Sequence, residues 1–207
     1  MPIITFPAAT KLNISVKKLI NDTDQQVAAL KIIKEECNPL AILGFMDLSV
    51  EAECFGAEIK VTDNEVPTVV GQLIEDEDDA QALKVPAVGS GRSQLYIDAI
   101  KKTKAEIKDI PILGGCIGPF SLAGRLMDVS EAMINCYEEP EMVHIVLEKA
   151  TKFLIDYISA YKEAGADGIL MAEPLAGVLS PVLATEFSST YVKTVSYTHL
   201  TLPTILR

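Results

Sequence analysis

Two acidic residues stand where apolar runs give out. Asp47 directly follows LAILGFM (40–46), and Glu173 closes GILMAE (168–173). In parallel α/β folds the reacting groups gather at the C-terminal ends of the strands. A charge at the end of a buried strand needs a partner or a task, because burying it alone is costly. Two readings stay open for each acid. One is structural: it caps the following helix or pairs with Arg125. The other is catalytic, at a shared mouth where perturbed acids cluster, and on it Asp47 and Glu173 are the candidate catalytic residues. Ser49 and Glu51 lie just beyond Asp47. The candidate substrate-binding residues occupy the same strand ends. Phe6 closes PIITF (2–6), while Phe120 and Ser121 follow PILGGCI (111–117). Arg125, in the helix after Phe120, either clamps an anionic substrate or neutralises one of the acids.

The elements that must position these residues follow from hydrophobic spacing. PIITF, LAILGFM, PILGGCI and GILMAE are apolar runs of strand length without alternation, which implies strands covered on both faces and hence a parallel sheet. Helical periodicity separates them. Thr23 with Gln26 predicts a capping box for a helix with Val27, Leu30 and Ile33 on one face, ended by Asn38-Pro39. Residues 57–74 have hairpin character around Asp63-Asn64. The acidic run 75–79 reads as a solvated helix start, and Gly89-Ser90-Gly91 as a turn. A helix is predicted over 93–108, with Tyr96, Ile100, Thr103 and Ile107 inward. The clearest helix spans 141–163. There Val143, Val146, Ala150, Phe153, Tyr157 and Tyr161 form the buried stripe, and His144, Glu148, Lys152 and Asp156 the solvated one. Asp128 or Ser130, and Ser180 ahead of Pro181, are predicted caps. Four alternations of strand and helix fit either a doubly wound sheet or a TIM (β/α)8 barrel. The absence of GxGxxG after any strand counts against a dinucleotide site.

The chain has 207 residues, enough for one sizeable core, and a formal charge of −11. Such a surface repels nucleic acid and anionic membranes, so neither is expected as a partner. No apolar stretch reaches the ~18 residues of a membrane span, and no signal peptide is evident. The expected setting is cytoplasmic. Cys37, Cys54, Cys116 and Cys136 form no CxxC pair. Each has apolar neighbours, so all four are expected as buried free thiols.

Four stretches carry a family resemblance: GFMDLSVEAECFGAEI (44–59), GRSQLYIDAI (91–100), GCIGPFSLAGRLMD (115–128) and YKEAGADGILMAEPLAGVLSP (161–181). In order and spacing the chain from about residue 2 to 195 resembles the uroporphyrinogen decarboxylase superfamily. The strings are most similar to its methylcobamide:thiol methyltransferase-like branch. The resemblance implies a TIM (β/α)8 barrel, here truncated to about the first four βα units. It places Asp47 at the decarboxylases' active-site aspartate, which in those enzymes faces the pyrrole nitrogens. In the methyltransferase branch it implies a zinc ion that activates a thiol, bound by a His-x-Cys pair and a distant Cys in the second half of the barrel. No His-x-Cys occurs in this sequence, so no metal ligand is expected in this chain. The implied partners are a corrinoid protein and a small thiol or other methyl acceptor.

The expected function is therefore corrinoid-dependent methyl transfer. The alternatives are porphyrinogen decarboxylation, as in porphyrin biosynthesis, and an inactive truncated fragment. Decarboxylases carry an Arg-Gln-Ala-Gly-Arg-Tyr motif near the first strand that is absent here. Their polycarboxylate substrate needs cations, yet the only arginines are Arg92, Arg125 and Arg207. Residues 1–195 are read as the N-terminal part of one barrel domain. Residues 196–207 have no coherent register, resemble translated sequencing-adapter read-through, and are expected to be a non-native tail in which His199 has no role. Four βα units leave open sheet edges, so the fragment is expected to aggregate or dimerise.

Overall fold

The computed structural model describes residues 7–199. The run 2–6, with Phe6, lies outside the described residues. The chain enters as helices α1 (Pro7–Leu12), α2 (Val16–Ile20) and α3 (Thr23–Cys37). Asp22, not Thr23, caps α3, its carboxylate accepting from the N–H groups of Asp24 and Gln25. An ionised acceptor one residue earlier outcompetes the hydroxyl. Gln26 instead turns inward toward the Ile20 carbonyl. Asn38 ends α3 in the left-handed region, at φ 40°.

Three parallel strands follow in the order β1 (Ile42–Leu43), β4 (Ile112–Ile117), β5 (Gly168–Ala172). The central strand β4 is almost wholly buried, as its unbroken apolar run requires. Strand β1 is shorter than its run. Gly44 still donates to the Leu113 carbonyl, and there the chain leaves the sheet, with Met46 packed where a Cβ on Gly115 would lie. Strand β5 is expected to be buried, yet each of its residues is only partly buried. It pairs with β4 on one side, and among the described residues nothing pairs with its other side. A two-stranded antiparallel hairpin, β2 (Glu58–Lys60) and β3 (Thr68–Val70), pairs Ile59 with Val69, matching the predicted alternation.

Helices cover the sheet. After α4 (Val50–Cys54) and α5 (Glu77–Ala82), α6 (Ser93–Glu106) packs on α3 and buries Tyr96, Ile100 and Thr103. Beyond β4 come α7 (Pro119–Met127), α8 (Val129–Glu138) and the long α9 (Pro140–Glu163), all of whose predicted inner residues are buried. After β5, a 3-10 turn (Pro174–Val178), α10 (Pro181–Leu183) and a π turn (Ala184–Ser189) lead into α11 (Thr190–His199). Asp128 and Ser180 cap their helices as predicted.

Three expectations need correction. His144 is only partly open to water: it stacks on Phe187 at 4.7 Å, and its Nδ1 meets the Tyr191 hydroxyl at 2.8 Å. Helix α11 covers what the isolated α9 pattern marked as surface. Cys37 is exposed and Cys54 only partly buried, so only Cys116 and Cys136 are the expected buried thiols. Helix α11 also runs past residue 195 to His199. Along it the Thr198 hydroxyl bonds back to the Thr194 carbonyl, the local side-chain bond open to a Thr inside a helix.

Candidate functional site

The site is built where β1, β4 and β5 end. Asp47 lies three residues past Gly44 and is buried. Its Oδ1 accepts from the Ser49 N–H at 3.1 Å and the Ser49 hydroxyl at 2.6 Å. Its Oδ2 accepts from Arg92 Nη1 and, at 3.0 Å, from the Tyr96 hydroxyl. A carboxylate has about four acceptor positions, so protein donors occupy all of them. Arg92 is heavily engaged too: beyond Asp47, Nε donates to Glu53 at 2.7 Å and Nη2 to the Ser49 hydroxyl at 3.0 Å. Arg92 and Tyr96 are one helical turn apart, so both reach Asp47 from the same end of α6. Burial, reinforced by the charge of Asp47, holds the Tyr96 phenol well above its ordinary range and keeps it a donor.

Glu51, on α4, is more deeply enclosed than its sequence suggests, at 2% exposure. One oxygen accepts from the Ile117 N–H at 3.0 Å, and no other residue offers the second oxygen a hydrogen bond. Burial pushes this carboxyl up to about 7, against the opposing pull of the Ile117 N–H and its own N–H.

Glu173 sits just past β5. Its carboxylate accepts from the N–H groups of Phe120 (3.0 Å) and Ser121 (2.6 Å), the first turn of α7. It thus caps a helix distant in sequence and lies at the positive end of that helix dipole. Burial raises its pKa, opposed first by the Ser121 hydroxyl and then by the Ser121 and Phe120 N–H groups. Gly118 is required there, since a Cβ would collide with the Glu173 carboxylate. Among the described residues Glu173 is thus held by Phe120 and Ser121 alone, with no cation beside it. Ser121 closes the turn by accepting from the Leu175 N–H at 3.1 Å.

The structure thus brings Asp47, Ser121 and Glu173 to one end of the sheet, with Phe120 beside them. It gives the last a different job: the Phe120 ring is fully buried in the core, so its contribution to the rim is its N–H. Arg125 falls in the last turn of α7, about 7 Å along the axis from the end that Glu173 caps. Among the described residues it forms no ion pair. The cation of this site is Arg92, which the sequence reading did not single out. Its signal was present as Arg92 and Tyr96 at helical spacing, but nothing local tied that pair to Asp47. Glu51 was noted only for its place after Asp47.

Among the described residues no group of three or more His, Cys, Asp or Glu is arranged to hold a metal ion. The thiols nearest the site are not poised for it. Burial, together with Glu51 and Glu173, raises Cys116 far above the ordinary thiol range, and burial also raises Cys54. The residues described here therefore do not fit a zinc centre. No helix among them is long and apolar enough to cross a membrane.

Comparison with known proteins bears on the fold and the family. The fold superposes on a methyltransferase from Methanosarcina mazei with a TM-score of 0.86 and 25% identity, over 93% of this chain and 58% of that one. The methylcobamide:CoM methyltransferase MtbA of Methanosarcina acetivorans is 35% identical over 133 residues, 63% of this chain and 39% of the relative. The uroporphyrinogen decarboxylase of Coxiella burnetii is 28% identical over 165 residues, 75% of this chain and 45% of the relative. The chain thus spans less than half the length of these curated relatives. The family model for uroporphyrinogen decarboxylase (URO-D) matches residues 5–201, and with its α/β fold this chain belongs to that family.

Proposed function

We propose that this chain is the first four βα units of a barrel that transfers a methyl group from a methylcobamide, carried on a partner corrinoid protein, to a small thiol. One observation carries the choice within the family. Every acceptor position of Asp47 is taken by Ser49, Arg92 and Tyr96. A decarboxylase of this family would need the carboxylate at this position to face pyrrole N–H groups, and here it has no capacity left. The guanidinium beside it is engaged by Asp47, Glu53, Ser49 and Tyr96 and is poorly placed to serve a polycarboxylate.

In this reading Asp47 is a positioning residue rather than a catalytic one. Glu173 keeps the catalytic candidacy, as the acid at this rim that is not tied up by a guanidinium. Ser121 supports it from the same turn. The thiol-activating zinc of the methyltransferase branch finds no ligand set among the described residues, so its ligands belong to strands beyond them. The part played by this chain is to shape and dry one wall of the mouth.

The test is an assay of the purified protein, in a polypeptide of the relatives' full length. Demethylation of methylcobalamin is followed with coenzyme M and other thiols, in parallel with decarboxylation of uroporphyrinogen. Thiol-dependent demethylation is expected. Decarboxylation without demethylation would overturn the proposal.

A further inference from the structure

Where β1 gives out, the sheet has a loose end, and one side chain covers it. The carbonyls of Pro111 and Leu113 accept from β1, at Ile42 and Gly44, while Ile112 and Gly118 bond to the β5 side. Backbone groups alternate sides along a strand, so the N–H of Ile117 points toward β1. Strand β1 has ended by then. The donor that would otherwise be orphaned in the core is taken by the Glu51 side chain.

The charge count around Glu51 is lopsided. Asp47, Glu51 and Glu53 share a single cation, Arg92, whose side-chain hydrogen bonds go to Asp47, Tyr96, Ser49 and Glu53. None goes to Glu51. The other titratable groups whose fields reach it are all neutral acids: Cys54 on its own helix, Cys116 on β4, and Tyr157 and Tyr161 on α9. An ionised Glu51 would be a second buried negative charge with no counter-ion and one oxygen without a donor from another residue. A protonated one keeps an oxygen for Ile117 and makes the other a hydroxyl. The Tyr157 and Tyr161 hydroxyls, bonded to each other at 2.8 Å, use one proton between them and retain acceptor capacity in the same layer.

We propose that Glu51 is a positioning residue that works as a neutral carboxylic acid, fastening α4, and with it the Asp47–Ser49–Arg92 network, to the end of β4. The inference concerns the scaffold of the mouth and stands whichever reaction the mouth performs. Its consequence is that losing the Glu51 proton loosens the strand-end loop that holds Asp47.

The test compares the wild-type protein with Glu51→Gln and Glu51→Leu. Glutamine keeps a neutral acceptor for Ile117, whereas leucine removes it. In carbon-13 NMR of glutamate-labelled protein, one side-chain carboxyl should titrate near neutral pH and disappear in Glu51→Gln. Amide exchange of segments 44–55 and 112–121 is measured against pH and corrected for intrinsic rates. Wild type and Glu51→Gln should match in acid. They should then diverge by about ten-fold per pH unit above the ordinary glutamate range, levelling off near neutrality, with wild type the looser. Glu51→Leu should be loose throughout. No carboxyl titrating above the ordinary range, or a Glu51→Leu variant as protected as Glu51→Gln, would overturn the proposal.

Discussion

Removing Arg92 is the sharpest single perturbation of this site. In Arg92→Met the aliphatic stem is roughly preserved while the guanidinium is lost. Asp47 and Glu53 lose their counter-ion, but unequally. Glu53 is 28% exposed in its side chain and can take up water, whereas the Asp47 side chain is 0% exposed and cannot. Breaking a buried ion pair from one side costs about 3–5 kcal/mol, mostly because the other charge stays buried and uncompensated. That range is expected here, with the Asp47 end supplying nearly all of it. Urea unfolding at neutral pH, followed by circular dichroism, measures it as a lower midpoint at unchanged slope. The double variant Asp47→Asn/Arg92→Met also removes the stranded Asp47 charge and should recover about 2 kcal/mol or more of the loss, a coupling that a double-mutant cycle isolates. Lys102→Met, which removes the exposed pair with Asp24, is the control and should unfold as wild type does. A loss below about 1 kcal/mol for Arg92→Met, the range of an exposed pair, would refute the reasoning, as would strict additivity in the cycle. Asp47 would then be solvated and free for substrate.

Three further outcomes are expected. Glu51 binds its proton up to about 7 in the fold against 4.5 in the unfolded chain. Its contribution is therefore fully present below about pH 4.5 and is lost as pH rises through 7, about 3 kcal/mol in all at about 1.4 kcal/mol per unit. Glu51→Gln should flatten that part of the stability–pH curve, and an unchanged slope would contradict it. Glu173→Ala uncaps α7 and should cost about 1–2 kcal/mol, while Gly118→Ala should produce a similar loss by displacing the same carboxylate; a neutral Gly118→Ala in thermal unfolding would show that the Glu173 cap is not needed. The 207-residue chain alone should self-associate through the open edge of β5, and sedimentation as a cooperatively melting monomer would count against four open βα units.

Much of the fold could be read from local pattern. The stripe of α9, the hairpin around Asp63-Asn64, the caps at Asp128 and Ser180 and the central strand β4 each depend on residues within a few positions of one another. Periodicity and capping chemistry report such features directly. The sequence also sufficed for the family, and for placing Asp47, Ser121 and Glu173 at strand ends.

What those side chains do there was decided by tertiary structure. Asp47 meets Arg92 across 45 positions, Glu173 meets the Phe120 N–H across 53, and Glu51 meets Ile117 across 66. A buried charge accepts whichever donor the packing delivers, and the sequence near Asp47 does not reveal that α6 will lay Arg92 and Tyr96 against it. Likewise His144 belonged to the solvated stripe of its own helix until α11 folded over it. Composition and spacing determine which residues can be buried or charged. Only the approach of distant elements determines which charges are neutralised, which donors are orphaned, and therefore which acids remain free to act.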